Sequence, residues 1–237
     1  MSRRETYDFT EGELLLIDKA EGWTSFDAVN KIRHLLRHYL GIKKIKVGHA
    51  GTLDPLATGL LLVCTGHKTK EIAGLTGLDK EYSGTFFIGG STPSFDRETE
   101  VDEQYDTDHI SCERIYECAS GFTGRQMQVP PAYSAIKVGG TRSYRMARSG
   151  ESMIMQPREV FIREFDITEA GIPFTRFRVV CSKGTYIRSL ANDFGRALSS
   201  GAYLYSLRRT RIGNYRVDNA ISIQELETIL QSLKTNG

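Results

Sequence analysis

The sequence predicts an α+β protein built on a largely antiparallel sheet. Segments with strand-like alternation and segments with helical periodicity follow one another in mixed order, without the regular βαβ alternation of a parallel sheet. With 237 residues, 40% hydrophobic and 25% charged, the chain has an ordinary soluble composition. It carries no internal repeat, low-complexity tract or Pro/Gly-rich linker, so a single domain over residues 1–237 is expected.

Residues 13–18 (Glu-Leu-Leu-Leu-Ile-Asp) read as a short buried strand. The turn Glu21-Gly22-Trp23 leads to Thr24, a hydroxyl cap with Asp27 three residues on, which marks a helix start. Phe26, Val29, Ile32, Leu36 and Leu40 then share one face, and Gly41 stops the helix. A glycine-rich segment, 48–59, leads into the apolar run 60–64. Residues 81–89 read as a strand, 111–122 as a short helix ending near Gly121, and 158–167 as a strand with Val160, Ile162, Phe165 and Ile167 inward. Around 174–181, Phe177, Val179 and Cys181 alternate with Arg176 and Arg178, as a second strand would. The turn Ser182-Lys183-Gly184 delivers a helix carrying Ile187, Leu190, Ala191, Phe194 and Leu198. Ser222 with Glu225 opens a last helix whose face is Leu226, Ile229, Leu230 and Leu233. Residues 123–157, rich in Gly, Ser and Arg with little apolar period, read as an insertion and a mobile flap.

The net charge of +2 hides a segregation. Residues 28–53 hold no acid but carry Lys31, Arg33, Arg37, Lys43, Lys44 and Lys46. Residues 118–150 are also acid-free, with Arg125, Lys137, Arg142, Arg145 and Arg148, and so are residues 194–217, with Arg196, Arg208, Arg209, Arg211 and Arg216. Three such stretches on one face would hold a polyanion, so RNA or DNA is the expected partner. The acids crowd elsewhere: Asp96, Glu98, Glu100, Asp102, Glu103, Asp106 and Asp108 read as a solvated loop.

Several classes lose support. Cys64, Cys112, Cys118 and Cys181 have neither a disulfide framework nor zinc spacing, and read as buried reduced thiols. The run 60–64 is far short of the roughly 20 residues of a membrane span, and the amino terminus lacks the apolar core of a signal peptide. A cytoplasmic protein without a membrane partner is expected. The spacing from Gly59 to Thr69 does not fit a phosphate loop, and neither HExxH nor Gly-x-Ser-x-Gly occurs. What remains is the segment 48–61, Gly-His-Ala-Gly-Thr-Leu-Asp-Pro-Leu-Ala-Thr-Gly-Leu-Leu. Asp54 is its one carboxylate and the only acid between Ala28 and Lys70, where it pairs with cations or, on the plainer reading, caps a helix.

This segment closely resembles the catalytic motif of the pseudouridine synthase B family, whose enzymes make pseudouridine 55 in the T-loop of transfer RNA. Four further motifs resemble the family in order. They are Lys19-Ala20-Glu21-Gly22-Trp23-Thr24-Ser25, with Ala20 where proline is usual; Asp79-Lys80-Glu81-Tyr82; Phe122 to Lys137, including Gln128-Val129-Pro130-Pro131-Ala132-Tyr133; and Cys181-Ser182-Lys183-Gly184-Thr185-Tyr186-Ile187-Arg188. Many members continue into a small RNA-binding PUA domain; too few residues follow Arg216 for one, so none is expected here.

The resemblance implies the pseudouridine synthase fold and an isomerisation: the N1–C1′ bond of a uridine breaks, the base turns, and C5 takes the place of N1. No cofactor and no metal are implied. Asp54 is the implied catalytic carboxylate, whether by attack at C1′, addition at C6 or removal of the 2′-proton; initial glycosidic cleavage is the favoured route. Arg188 is implied to pair with Asp54, and Tyr82 to stack on the target base or help remove the C5 proton. Without the resemblance, Tyr82 reads as a core aromatic. Because the uridine must be flipped out, His49 is the candidate to fill the vacated stack or abut the base. Tyr133 and Lys137 are expected to line the entrance, and Lys19 and Lys183 to contact RNA. The implied partner is transfer RNA, bound by a monomer. An RNA-folding factor without catalysis, and a synthase for another RNA, are the alternatives.

Overall fold

The computed structural model describes residues 7–134, 137–138, 141–149 and 155–235. The chain forms two compact units, Met1–Lys80 with Arg208–Gly237, and Glu81–Leu207. It passes from the first to the second at the start of one strand and returns within another.

The first unit begins with β1 (Leu14–Lys19), α1 (Ser25–Leu40), β2 (Val47–His49), β3 (Ala57–Thr65) and α2 (Ile72–Gly77). β1 and β2 both pair antiparallel with β3, Leu16 opposite Leu62 and Gly48 opposite Cys64. The apolar run is buried on both faces because each face has its own cover. Leu15, Ile17, Leu61 and Val63 pack with Val29, Ile32 and Leu36 of α1. Leu60, Leu62 and Cys64 pack with Leu75 of α2.

α1 starts where its cap predicts. The Asp27 amide donates to Thr24 Oγ1 (3.0 Å) and the Thr24 amide to Asp27 Oδ2 (2.9 Å), while Gly41 ends the helix at φ 67°. One assignment fails. Phe26 is 66% exposed, because Ser25 takes the inward place in that first turn and buries its hydroxyl on the Leu53 backbone.

The second unit runs through β4 (Lys80–Ile88), β5 (Gly90–Ser91), β6 (Glu103–Gln104), α3 (Cys112–Ser120), β7 (Gly124–Gln128), β8 (Lys137–Val138), β9 (Thr141–Arg142), α4 (Ser143–Arg148), β10 (Arg158–Glu169), β11 (Phe174–Cys181), α5 (Ile187–Ala197) and β12 (Ala202–Ile212). β10 pairs antiparallel with both β7 and β11. Its core is aromatic: Phe86 stacks on Phe177 at 4.1 Å between centroids, and Phe165 meets Phe194 edge-on at 5.7 Å. Such pairs contribute about 0.5–1.5 kcal/mol each beyond area burial. Among the described residues of 123–157 lie β7, β8, β9 and α4. Cys112, expected to be buried, is exposed in the first turn of α3.

The chain then re-enters the first unit in β12 and adds β13 (Tyr215–Arg216) and α6 (Ile223–Thr235). α6 carries the predicted capping box, and its Leu226 and Leu230 enter the core beside α1. Among the described residues, no helix is long and apolar enough to cross a membrane.

Candidate active site

Asp54 stands half-buried in a loop of the first unit whose backbone is tied down on both sides of it. The loop leaves β2 and returns as β3, so its ends are closed by sheet bonds, with the Ala50 amide on the Leu62 carbonyl at 2.9 Å. Gly51 turns at φ +102°, a conformation open mainly to glycine. The Leu53 amide donates to Ser25 Oγ (2.8 Å), whose hydroxyl donates back to the Leu53 carbonyl (3.2 Å). The Pro55 carbonyl accepts from the Gly22 amide at 2.8 Å, and the Ala57 amide bonds the Asp54 carbonyl at 3.1 Å. A segment with its buried polar groups so satisfied holds one conformation.

Two buried cations belong to this loop. The Arg209 guanidinium, 1% exposed, donates to the carbonyls of Leu60 (2.7 Å), Gly51 (3.0 Å) and Thr52 (3.2 Å). Gly59, at φ +99°, lies so close to the Arg209 backbone that any side chain there would strike it. The other cation is Lys19, also 1% exposed, with Nζ donating to the carbonyls of Trp23 (2.7 Å), Ala20 (2.9 Å) and Pro55 (3.4 Å). Lys19 was expected to contact RNA; its place on the inward parity of β1 corrects that, because its three protons are all engaged within the unit.

Burial lowers the Lys19 pKa to about 8, against the raising field of Asp54 and with the Arg209 charge adding to the lowering. The ammonium is then lost as pH rises through about 8. Neutral Lys19 no longer balances the charge of Asp54 or grips the Pro55 carbonyl as strongly. Turnover is therefore expected to fall several-fold through about pH 8, and Lys19→Arg, which does not titrate there, to abolish that alkaline limb. A pH–rate profile measures this; a flat wild-type profile to pH 9 refutes it. His49 is half-buried on β2, and burial, reinforced by the Arg209 charge, holds its imidazole below the usual range despite an opposing interaction with the Gly51 backbone. It therefore offers a neutral ring at pH 7.

In the second unit, Tyr82 lies on β4 and is 9% exposed, and Arg188 lies in the first turn of α5 and is 4% exposed. Arg188 Nη1 donates to the Ser94 carbonyl (3.3 Å), and Nε lies 3.5 Å from Asp96 Oδ2. Asp96, 4% exposed, also accepts from Ser94 Oγ (2.6 Å) and the Glu98 amide (2.9 Å). The reading of the acidic segment as a solvated loop therefore fails at this residue. Phe95, with φ 61°, turns the backbone just before it, a conformation rare for a bulky side chain. Sequence reasoning missed Asp96 because it hides in a run of exposed acids. Lys183 is exposed in the turn before α5, and Tyr133 is half-buried, meeting Tyr144 edge-on at 6.2 Å. The Lys137 side chain lies outside the described residues.

The basic stretches divide. In 194–217, Arg209 is buried on carbonyls, Arg208 forms a two-pronged pair with Asp18 (2.7 and 3.0 Å), Arg211 donates to the Gly213 carbonyl and Arg216 bonds Asp218. Most of that stretch serves the fold, which corrects its reading as a phosphate face. In 28–53, Lys31 pairs with Glu227 and Arg33 bonds Asn30. Arg37, Lys43, Lys44 and Lys46 are exposed, without an acidic partner among the described residues.

Comparison with known proteins follows the same lines. A family model described as "TruB family pseudouridylate synthase (N terminal domain)" matches residues 37–187, and one described as "tRNA pseudouridylate synthase B C-terminal domain" matches residues 188–236. The curated "tRNA pseudouridine synthase B" of Flavobacterium johnsoniae is 56% identical over 225 residues, covering 94% of this chain and 98% of that protein. The protein of the same description from Chloroherpeton thalassium is 47% identical over 228 residues, covering 95% and 94%. Among solved structures, "Crystal Structure of a Cbf5-Nop10-Gar1 Complex" is similar at TM-score 0.73 and 27% identity, over 97% of this chain and 57% of that one. "Structure of H/ACA RNP bound to a substrate RNA containing 2'-deoxyuridine" is similar at TM-score 0.70 and 25% identity, over 97% and 56%. This chain thus spans little more than half the length of either.

Proposed function

Since the chain belongs to the TruB family of pseudouridylate synthases and isomerises uridine 55 in the T-loop of transfer RNA, we propose that Asp54 is the carboxylate that carries the reaction. The observation behind this is the loop itself: a single acid on a backbone fixed by Ser25, Arg209 and Lys19, in the segment that matches the family's catalytic motif. Atoms balance without a co-reactant. The N1–C1′ bond breaks, a C5–C1′ bond forms, the C5 proton leaves, and N1 takes up a proton. Asp54 acts early, assisting departure of N1 from C1′. Tyr82 stacks on the target base, and Arg188 steadies the carboxylate, as the family resemblance assigns them.

A uridine within a folded T-loop is reached by flipping, at a cost of a few kcal/mol, which stacking and phosphate contacts offset. Neutral His49 is suited to lie against a base, and Tyr133, Lys137 and Lys183 are assigned to the RNA. We take the enzyme to act in the cytoplasm as a monomer on this substrate. Arg37, Lys43, Lys44 and Lys46 supply phosphate contacts, so log Kd for transfer RNA against log salt is expected to have a slope of about 3, at roughly 0.7–0.9 per contact. The activity is tested by tritium release from C5-labelled uridine in a transfer-RNA transcript. Release that disappears when uridine 55 is replaced supports the reading. Release from a ribosomal-RNA fragment alone, or from neither RNA, overturns it.

A further inference from the structure

The cation nearest the catalytic segment that nothing above assigns to chemistry is Arg209. We propose that Arg209 is a positioning residue for the isomerisation: its guanidinium ties the carbonyls of Gly51 and Thr52 to that of Leu60 and so fixes the backbone from which Asp54 projects. The inference rests on the reading of Asp54 as catalytic.

Four observations carry it. Arg209 is 1% exposed, so it does not meet a phosphate on the surface. Its partners are neutral carbonyls on two segments, the loop before Asp54 and the strand after it, which a planar fork of fixed N–H directions bridges and a point-like ammonium does not. Both glycines at the contact are shaped to it. Gly51 adopts φ +102° with the guanidinium 3.6 Å from where a Cβ would stand, and Gly59 admits the Arg209 backbone only because it lacks a side chain. Finally, the remaining anchors, Ser25 and Lys19, hold residues 53 and 55 but not 51 and 52. Arg209 therefore controls the approach to Asp54 from the N-terminal side. Because its charge also bears on Lys19 and His49, it sets the field of the loop as well as its shape.

The test uses the full-length protein with Arg209→Lys, which keeps the charge, and Arg209→Ala, in single-turnover assays with saturating enzyme. Rate, transfer-RNA Kd and melting temperature are measured for each, beside Asp54→Asn. The expected result is a rate loss of about 100-fold for Arg209→Lys, the scale of an ångström-level misplacement, with Kd within about threefold of wild type. For Arg209→Ala, at least tenfold recovery by added methylguanidinium is expected. A rate for Arg209→Lys close to wild type overturns the proposal. So does a parallel loss of rate and affinity, which would mark a phosphate ligand, or a failure of both variants to fold, which would mark a residue of the core alone. If Asp54→Asn is inactive while Arg209→Lys is active, only this inference falls. If Asp54→Asn stays active, it is the catalytic reading that falls.

Discussion

Asp54→Asn is expected to lower pseudouridine formation by at least about 10³-fold, or about 4 kcal/mol of barrier, while transfer-RNA affinity stays within about threefold. The reasoning is structural. The loop is held through backbone groups at Gly51, Thr52, Leu53 and Pro55 and through the Asp54 carbonyl, none of which the substitution removes. An amide of nearly the same shape therefore occupies the same place without the negative charge. Tritium release and filter binding measure the two quantities separately. Loss of both together would make Asp54 a binding or folding residue instead.

The second large effect belongs to Arg188. Arg188→Ala removes the cation beside Asp96 in a site where both residues are about 4% exposed, and breaking such a buried pair costs roughly 3–5 kcal/mol. For a chain of this size that is a fall in melting temperature of about 10 °C. Turnover is expected to drop in the folded fraction as well. A double-mutant cycle separates the two roles. Asp96→Asn combined with Arg188→Ala should lose less stability than the sum of the single changes, because both remove one shared contact, yet turnover should stay low. Full additivity in stability would mean that the 3.5 Å approach carries no energy.

The parts legible in the sequence were those written locally. The capping boxes Thr24/Asp27 and Ser222/Glu225, the Gly41 stop and the short helix ending near Gly121 each depend on a few neighbouring residues. The apolar run 60–64 stood out as apolar, but only the structure shows it to be part of a strand buried on both faces. Asp54 stood out as a lone acid among glycines and cations. The failures were non-local. β12 was hidden because its arginines look like a solvated basic tract, whereas Arg208 and Arg209 find partners at Asp18 and in the 51–60 segment. Asp96 is buried against Arg188, a partner far along the chain that the run of acids around it does not announce. Phe26 was misplaced because helical periodicity does not know that Ser25 has a backbone to bind.

The first unit is assembled from both ends of the chain, with residues 81–207 intervening. On a ribosome, where the amino-terminal part emerges first, the inserted unit is fully synthesised before its predecessor can close. Until β12 and α6 appear, Leu61 and Val63 lack Leu226 and Leu230, and the loop bearing Asp54 lacks Arg209. A nascent chain thus holds Asp54 on an unlatched segment until β12 has been made.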